Sequence, residues 1–139
     1  MDINNLDTIN SKVASYSAKL LPVIKNRTNK EIKFLYDFGF REFAENRLDD
    51  FKQHVSVYKD ASYHFIAPIQ SRKLNEITQH FKYIHTISRI KEVDILKSSD
   101  TKCNFLIQIN IDDDPKRVEL RKRKYIVFLN TVLVKVIIQ

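Results

Sequence analysis

A small set of positions along this chain could do chemistry if folding brings them to one edge of a sheet. They are Lys25, the adjacent Glu45 and Asn46, His64, Pro68 with Gln70, His85 and Asn110. Each follows or closes a short apolar run, and a parallel α/β sheet collects its functional side chains at the C-terminal ends of its strands. A lysine facing a partly desolvated cavity loses its proton more readily than one in water, and the neutral amine attacks a carbonyl carbon. Taken singly, each position is an ordinary polar residue at a strand end, and a lysine after an apolar strand is ordinarily a surface lysine. Glu45 is expected to pair with a neighbouring Arg or Lys. The single cysteine, Cys103, has no partner for a disulfide and no Cys or His companions at metal-binding spacing.

The elements that must position these residues read as a βαβ rhythm. A helix is expected to about Ala18, then a buried strand over 20–24. A helix over 29–38 follows, with Ile32, Leu35, Tyr36 and Phe38 on one face and Gly39 as its stop. Further strands are expected over 41–44, 63–67, 83–87 and 104–111. Helices are expected over 48–58, over 71–81 with Ser71 as the cap, and over 90–96. No Asn-Gly or Asp-Gly hairpin signal occurs, so the fold class is α/β with about five parallel strands joined by right-handed crossovers.

Composition narrows the function classes. The 139 residues are 43% hydrophobic and 29% charged, which suits a globular domain and excludes compositional disorder. The formal charge of +7 favours polyanions or phosphorylated small molecules. Lys116, Arg117, Arg121, Lys122, Arg123 and Lys124 crowd one stretch, which makes a basic nucleic-acid-binding module an alternative reading; no recognised nucleic-acid motif accompanies them. The apolar run over 125–138 is shorter than the about 20 residues that cross a bilayer, and no secretory leader is visible. A cytoplasmic protein is expected.

Read together, the motifs resemble those of the pyridoxal phosphate (PLP) homeostasis family, also called YggS/PROSC. Pro22-Val23-Ile24-Lys25-Asn26-Arg27-Thr28 is similar to the family's Ala-Val-Ser-Lys-Thr-Lys-Pro, whose lysine forms the Schiff base. Residues 37–47, ending Phe43-Ala44-Glu45-Asn46-Arg47, resemble Leu-Gly-Gln-Arg-Asp-Phe-Gly-Glu-Asn-Arg. Tyr63-His64-Phe65-Ile66-Ala67-Pro68-Ile69-Gln70-Ser71-Arg72-Lys73 resembles Trp-His-Phe-Ile-Gly-x-Leu-Gln-Ser-Asn-Lys. His85-Thr86-Ile87-Ser88-Arg89 and Leu106-Ile107-Gln108-Ile109-Asn110-Ile111 follow the family's His-Ser-Val-Asp-Ser and Leu-Ile-Gln-Ile-Asn-Ile. The resemblance runs from about Leu20 to Arg117. It implies a partial TIM (β/α) barrel, with PLP as cofactor and Lys25, Asn46 and His64 as cofactor-binding residues. Asn46 would be an uncharged donor beside the ring and His64 a group packed near it. It also implies a carrier or regulator without catalytic residues. An alanine racemase-like enzyme is the other reading of the barrel, but that reaction needs a second acid/base from a further domain. The chain departs from the family at Ala44 and Ala67, where glycines are replaced, and at Arg72.

After Asn110 the family's Lys-Ser-Gly segment and later Gly-rich phosphate cradle have no counterpart, and Gly39 is the sole glycine. Removing one A from AAA AAG AGT GGA GTT AAG AAA AAG, which encodes Lys-Lys-Ser-Gly-Val-Lys-Lys-Lys, gives Lys-Arg-Val-Glu-Leu-Arg-Lys and then an Arg or Ser codon. That is the text from Lys116 to Arg123. The expected organisation is therefore a truncated PLP-binding barrel over 1–117 and a frameshifted or divergent tail over 118–139.

Overall fold

The computed structural model describes residues 3–54, 58–99, 101–110 and 120–121. It opens with α1 (Ile3–Ala14), followed by α2 (Asn29–Asp37), β1 (Glu42–Glu45), α3 (Leu48–His54) and β2 (Ser62–Phe65). A 3-10 turn (Ser71–Lys73) leads into α4 (Leu74–His80). Next come β3 (Tyr83–Ile87), α5 (Ile90–Lys97), β4 (Asn104–Ile107), β5 (Ile109–Asn110) and β6 (Leu120–Arg121). The first four strands form one parallel sheet in the order β1-β2-β3-β4, with helices between successive strands, as the βαβ rhythm requires. Ala44 pairs with His64 and His64 with Tyr83, which in turn pairs with Asn104, so one register row crosses the sheet.

Alternation along these strands divides the side chains between two faces. Phe43, Tyr63, Phe65 and Ile84 join Ile32 and Leu35 of α2, Leu48 and Phe51 of α3, Leu74 and Ile77 of α4, and Val93 and Leu96 of α5 in one buried core. Phe51 sits at its centre, 4.4 Å from the Phe81 ring and 4.9 Å edge-on to Tyr63.

Helix α2 shows how local sequence sets the frame. The Thr28 hydroxyl accepts from the Glu31 N–H at 3.3 Å, while the Glu31 carboxylate accepts from the Thr28 N–H at 2.9 Å, a reciprocal capping box. These bonds, backbone first, and Arg27 alongside hold the Glu31 carboxyl down at about 2. At the other end Phe40 N–H reaches Leu35 O and Gly39 N–H reaches Tyr36 O, a Schellman closure with Gly39 at φ +115°, where a side chain would be strained. Thr28→Ala is expected to cost about 1 kcal/mol in chemical denaturation.

Several expected elements differ in detail. The strand over 20–24 contracts to a single parallel bridge between Val23 and Ala44, secured by Ile24 N–H to Ala44 O (2.9 Å) and Ala44 N–H to Pro22 O (2.8 Å). Pro22 has no N–H to extend the ladder on its own side, and a turn at Lys25 and Asn26 ends it on the other. Ser71 caps nothing: Gln70 occupies the capping position without a side-chain bond, and Lys73 N–H satisfies itself on Gln70 O at 2.8 Å. The helix over 48–58 ends by His54, with Tyr58 outside it and residues 55–57 outside the described set. The strand over 104–111 breaks at Gln108, whose N–H bonds Ile87 O, and Ile109–Asn110 pairs with Leu120–Arg121 in a second small sheet. The rest of the expected frameshifted tail lies outside the described residues. Among those described, no helix is long and apolar enough to cross a membrane.

Candidate functional site

Lys25 and Asn46 each follow a residue joined at the edge of the sheet. Val23 and Ala44 form a single parallel bridge, and two residues later Lys25 already stands in a turn and Asn46 just beyond β1. Lys25 is then held by a turn: Arg27 N–H bonds Ile24 O at 3.1 Å, and Asn26 takes φ +56°, a left-handed conformation that Asn tolerates better than most residues. The capped start of α2 follows at once. The Lys25 side chain is exposed and forms no hydrogen bond or ion pair with a described residue.

Glu45 and Asn46 close β1. Glu45 is fully buried, and its Oε1 accepts the backbone N–H groups of Asn46 (2.6 Å) and Arg47 (3.2 Å). The expectation that Glu45 pairs with an Arg or Lys is therefore corrected. Backbone donors meet it instead, because the chain turns out of the sheet immediately beyond it, while Arg47 lies at the surface 3.9 Å from Asp50. Asn46 is half-buried, and its Oδ1 has no partner among the described residues. With Pro68 and Gln70 it lines a cavity of about 280 Å³ that also touches Arg47, Phe65 and Lys73.

His64 and His85 are not at strand ends, as their positions after apolar runs suggested. They lie within β2 and β3, because each strand begins two residues before its histidine and continues beyond it. His64 stacks on Tyr83 at 4.4 Å, and its Nδ1 lies 2.9 Å from His85 Nε2, so one imidazole donates to the other. His64 Nε2 is buried without a described partner. Burial, then the neighbouring His85, lowers the His64 pKa to about 4, and burial lowers that of His85. The two histidines face a cavity of about 600 Å³ with Lys19, Glu42, Tyr83 and Leu106. Lys25 lines neither this cavity nor the one beside Asn46. Tyr83 was not singled out by sequence; its spacing of two from His85 places both on one strand face, the signal that could have found it. Asn110 lies in β5, away from the four-stranded sheet. Among the described residues no group of three His, Cys, Asp or Glu could hold a metal ion.

A pH dependence follows from the buried imidazoles. The folded His64 pKa lies below that of an unfolded histidine, so the unfolded chain binds the proton first as pH falls. The stability from neutral His64 is complete above about pH 6.5 and is lost progressively toward pH 4, on the order of 2 kcal/mol in all. Melting temperatures measured between pH 7 and 4.5 should fall, and His64→Gln, which cannot titrate, should flatten the profile.

No family model matches the chain. Individual proteins do. It is 33% identical over 112 residues to the pyridoxal phosphate homeostasis protein of Buchnera aphidicola subsp. Baizongia pistaciae, covering 78% of this chain and 50% of that protein. It is 30% identical over 109 residues to the protein of the same name from Haemophilus influenzae, covering 73% and 46%. The Escherichia coli K12 protein of that name is 28% identical over 129 residues, covering 80% and 55%. The fold matches PipY of Synechococcus elongatus PCC7942, solved without PLP and with PLP bound, each with a TM-score of 0.76. For the PLP-free structure the identity is 20%, over 96% of this chain and 66% of that one. The chain spans about half the length of the curated relatives it matches. The chain's 33% identity over 78% of its length to a curated relative shows that it belongs to the pyridoxal phosphate homeostasis family, and its parallel strands and flanking helices share the fold of PipY.

Proposed function

We propose that this chain binds pyridoxal 5'-phosphate through the amine of Lys25, with Asn46 and His64 as the other cofactor-binding residues, and that it acts as a carrier or regulator of the cofactor and not as an enzyme. The observation that supports the reading is the Val23–Ala44 bridge, which brings the segments carrying Lys25 and Asn46 together at the edge of the sheet. Asn46 Oδ1 and His64 Nε2 both have hydrogen-bonding capacity that no described residue uses; the two side chains line different cavities, and Lys25 lines neither.

When bound, pyridoxal phosphate supplies an aldehyde carbon to which an amine adds with loss of water. The chain's part is to present that amine. The turn at Ile24–Arg27 and the capping box behind it fix the Lys25 backbone, so little conformational entropy remains to be lost on attachment. Asn46 contributes an uncharged amide, which orients a ring without altering the charge balance at the amine. His64, neutral at pH 7, adds a flat apolar wall lower on the same sheet face. The carrier reading over a racemase is supported by the names of the relatives. The visible spectrum on adding PLP to wild type and Lys25→Ala tests the reading; identical spectra would end it.

A further inference from the structure

Two carboxylates are buried in this fold at the junction between a strand and the following helix, and they are satisfied very differently. Glu92, 1% exposed, uses both oxygens: Oε2 accepts the N–H groups of Ser88 (3.0 Å) and Arg89 (3.1 Å), and Oε1 takes the Arg89 guanidinium. Arg89 in turn reaches the Ile69 carbonyl, tying the β3–α5 junction to the β2–α4 one. This is a complete structural brace with its charge compensated.

Glu45 braces the β1–α3 junction in the same way with one oxygen only. Its Oε1 accepts from Asn46 and Arg47, and among the described residues it forms no ion pair and its buried Oε2 has no partner. A carboxylate at 0% exposure with an idle oxygen carries a desolvation cost that the two N–H bonds at Oε1 only partly offset. An apolar residue of the same volume would remove that cost but leave the Asn46 and Arg47 N–H groups without their acceptor. What Glu45 adds is a fixed direction for the peptide carrying Asn46.

We propose that Glu45 is a positioning residue for the cofactor site, fixing the orientation of Asn46. This rests on the reading of Lys25 and Asn46 given above. The short bond from the Asn46 N–H to Oε1 fixes the peptide between residues 45 and 46. The Asn46 side chain then leaves the sheet in one direction instead of sampling several.

The test uses three variants of the full chain: Glu45→Met, Glu45→Gln and Asn46→Ala, with PLP affinity read from the Lys25-dependent spectrum. Glu45→Met keeps the buried volume and removes both acceptors. Measured below its melting temperature, it should expose the Asn46 and Arg47 amides to faster hydrogen exchange and weaken PLP binding about tenfold or more. Glu45→Gln retains an acceptor oxygen and should stay within about threefold of wild type. The double variant Glu45→Met with Asn46→Ala should bind no more weakly than Asn46→Ala alone, since the effect of Glu45 passes through Asn46. Additive losses, an unchanged affinity in Glu45→Met, or a lost affinity in Glu45→Gln at wild-type melting temperature would each overturn the proposal. A wild type without any Lys25-dependent spectrum would instead overturn the cofactor reading itself, and the positioning role with it.

Discussion

Lys25→Ala is expected to remove the PLP-dependent visible absorption completely while leaving the melting temperature within about 1–2 °C of wild type. The two halves of this expectation come from different observations. The Lys25 side chain is exposed and bonds to no described residue, so its deletion removes no packing and no ion pair. The strained position of the turn is Asn26, with φ +56°, and it is untouched. The spectral loss follows because alanine has no nucleophile. Lys25→Arg sharpens the test: the guanidinium keeps the positive charge but stays protonated and does not add to an aldehyde. A chain with a formal charge of +7 will attract a phosphorylated ligand by charge alone, so Lys25→Arg separates attraction from attachment. If Lys25→Ala and Lys25→Arg both retain the wild-type band, a different surface lysine reacts, and Lys25 does not hold the cofactor.

The parallel order of the sheet was readable because the signals were local and agreed with one another. Short β-branched and aromatic runs alternated with helical periods, and no hairpin turn interrupted them. The stop at Gly39 was readable for the same reason: one residue type relieves one backbone conformation. The failures came where neighbours outside the local window decided. Residues 20–24 have strand composition, yet the ladder there depends on what Ala44 can accept and on the missing donor of Pro22, so one bridge survives. Ser71 is a good cap by type, but Gln70 O captured the Lys73 N–H first. Gln108 bonds across to Ile87 beside a register shift in β3–β4, and no sequence signal announces a shift.

The site was legible to a similar depth. Lys25 and Asn46 are expected together because each follows a short apolar run, and those runs meet at the Val23–Ala44 bridge. His64 is expected at a strand end but lies within β2, whose extent is set by its pairing with β1 from Glu42 to Glu45 and not by residue type. Glu45 shows the opposite limit. A glutamate among Arg41, Arg47 and Lys52 reads as one side of an ion pair, whereas burial converted it into an acceptor for backbone N–H groups. Burial is a property of the packed sheet, and the sheet's helical cover is supplied by residues far along the chain.

That cover is where the largest loss of stability is expected. Phe51→Ala should destabilise the chain by about 3–5 kcal/mol, a large part of the 5–15 kcal/mol that holds a typical domain. Phe51 has no exposed surface and contacts Tyr63, His80 and Phe81 by its ring, so its removal opens a void bounded by β2 and the end of α4. Helix α3 spans Leu48–His54, too short to persist by itself, and it is docked by Leu48 and Phe51. Phe51→Leu, which keeps most of the volume, should cost much less. Denaturant titration of the two variants gives the difference, and hydrogen exchange should show α3 opening in Phe51→Ala before the β2–β3 pair does. The Glu45 carboxylate would then lose the Arg47 N–H at the entrance to α3, so PLP affinity should fall together with stability in this variant. A cost below about 1 kcal/mol for Phe51→Ala would mean that α3 does not close the core, and the brace at Glu45 would have no rigid helix to lean on.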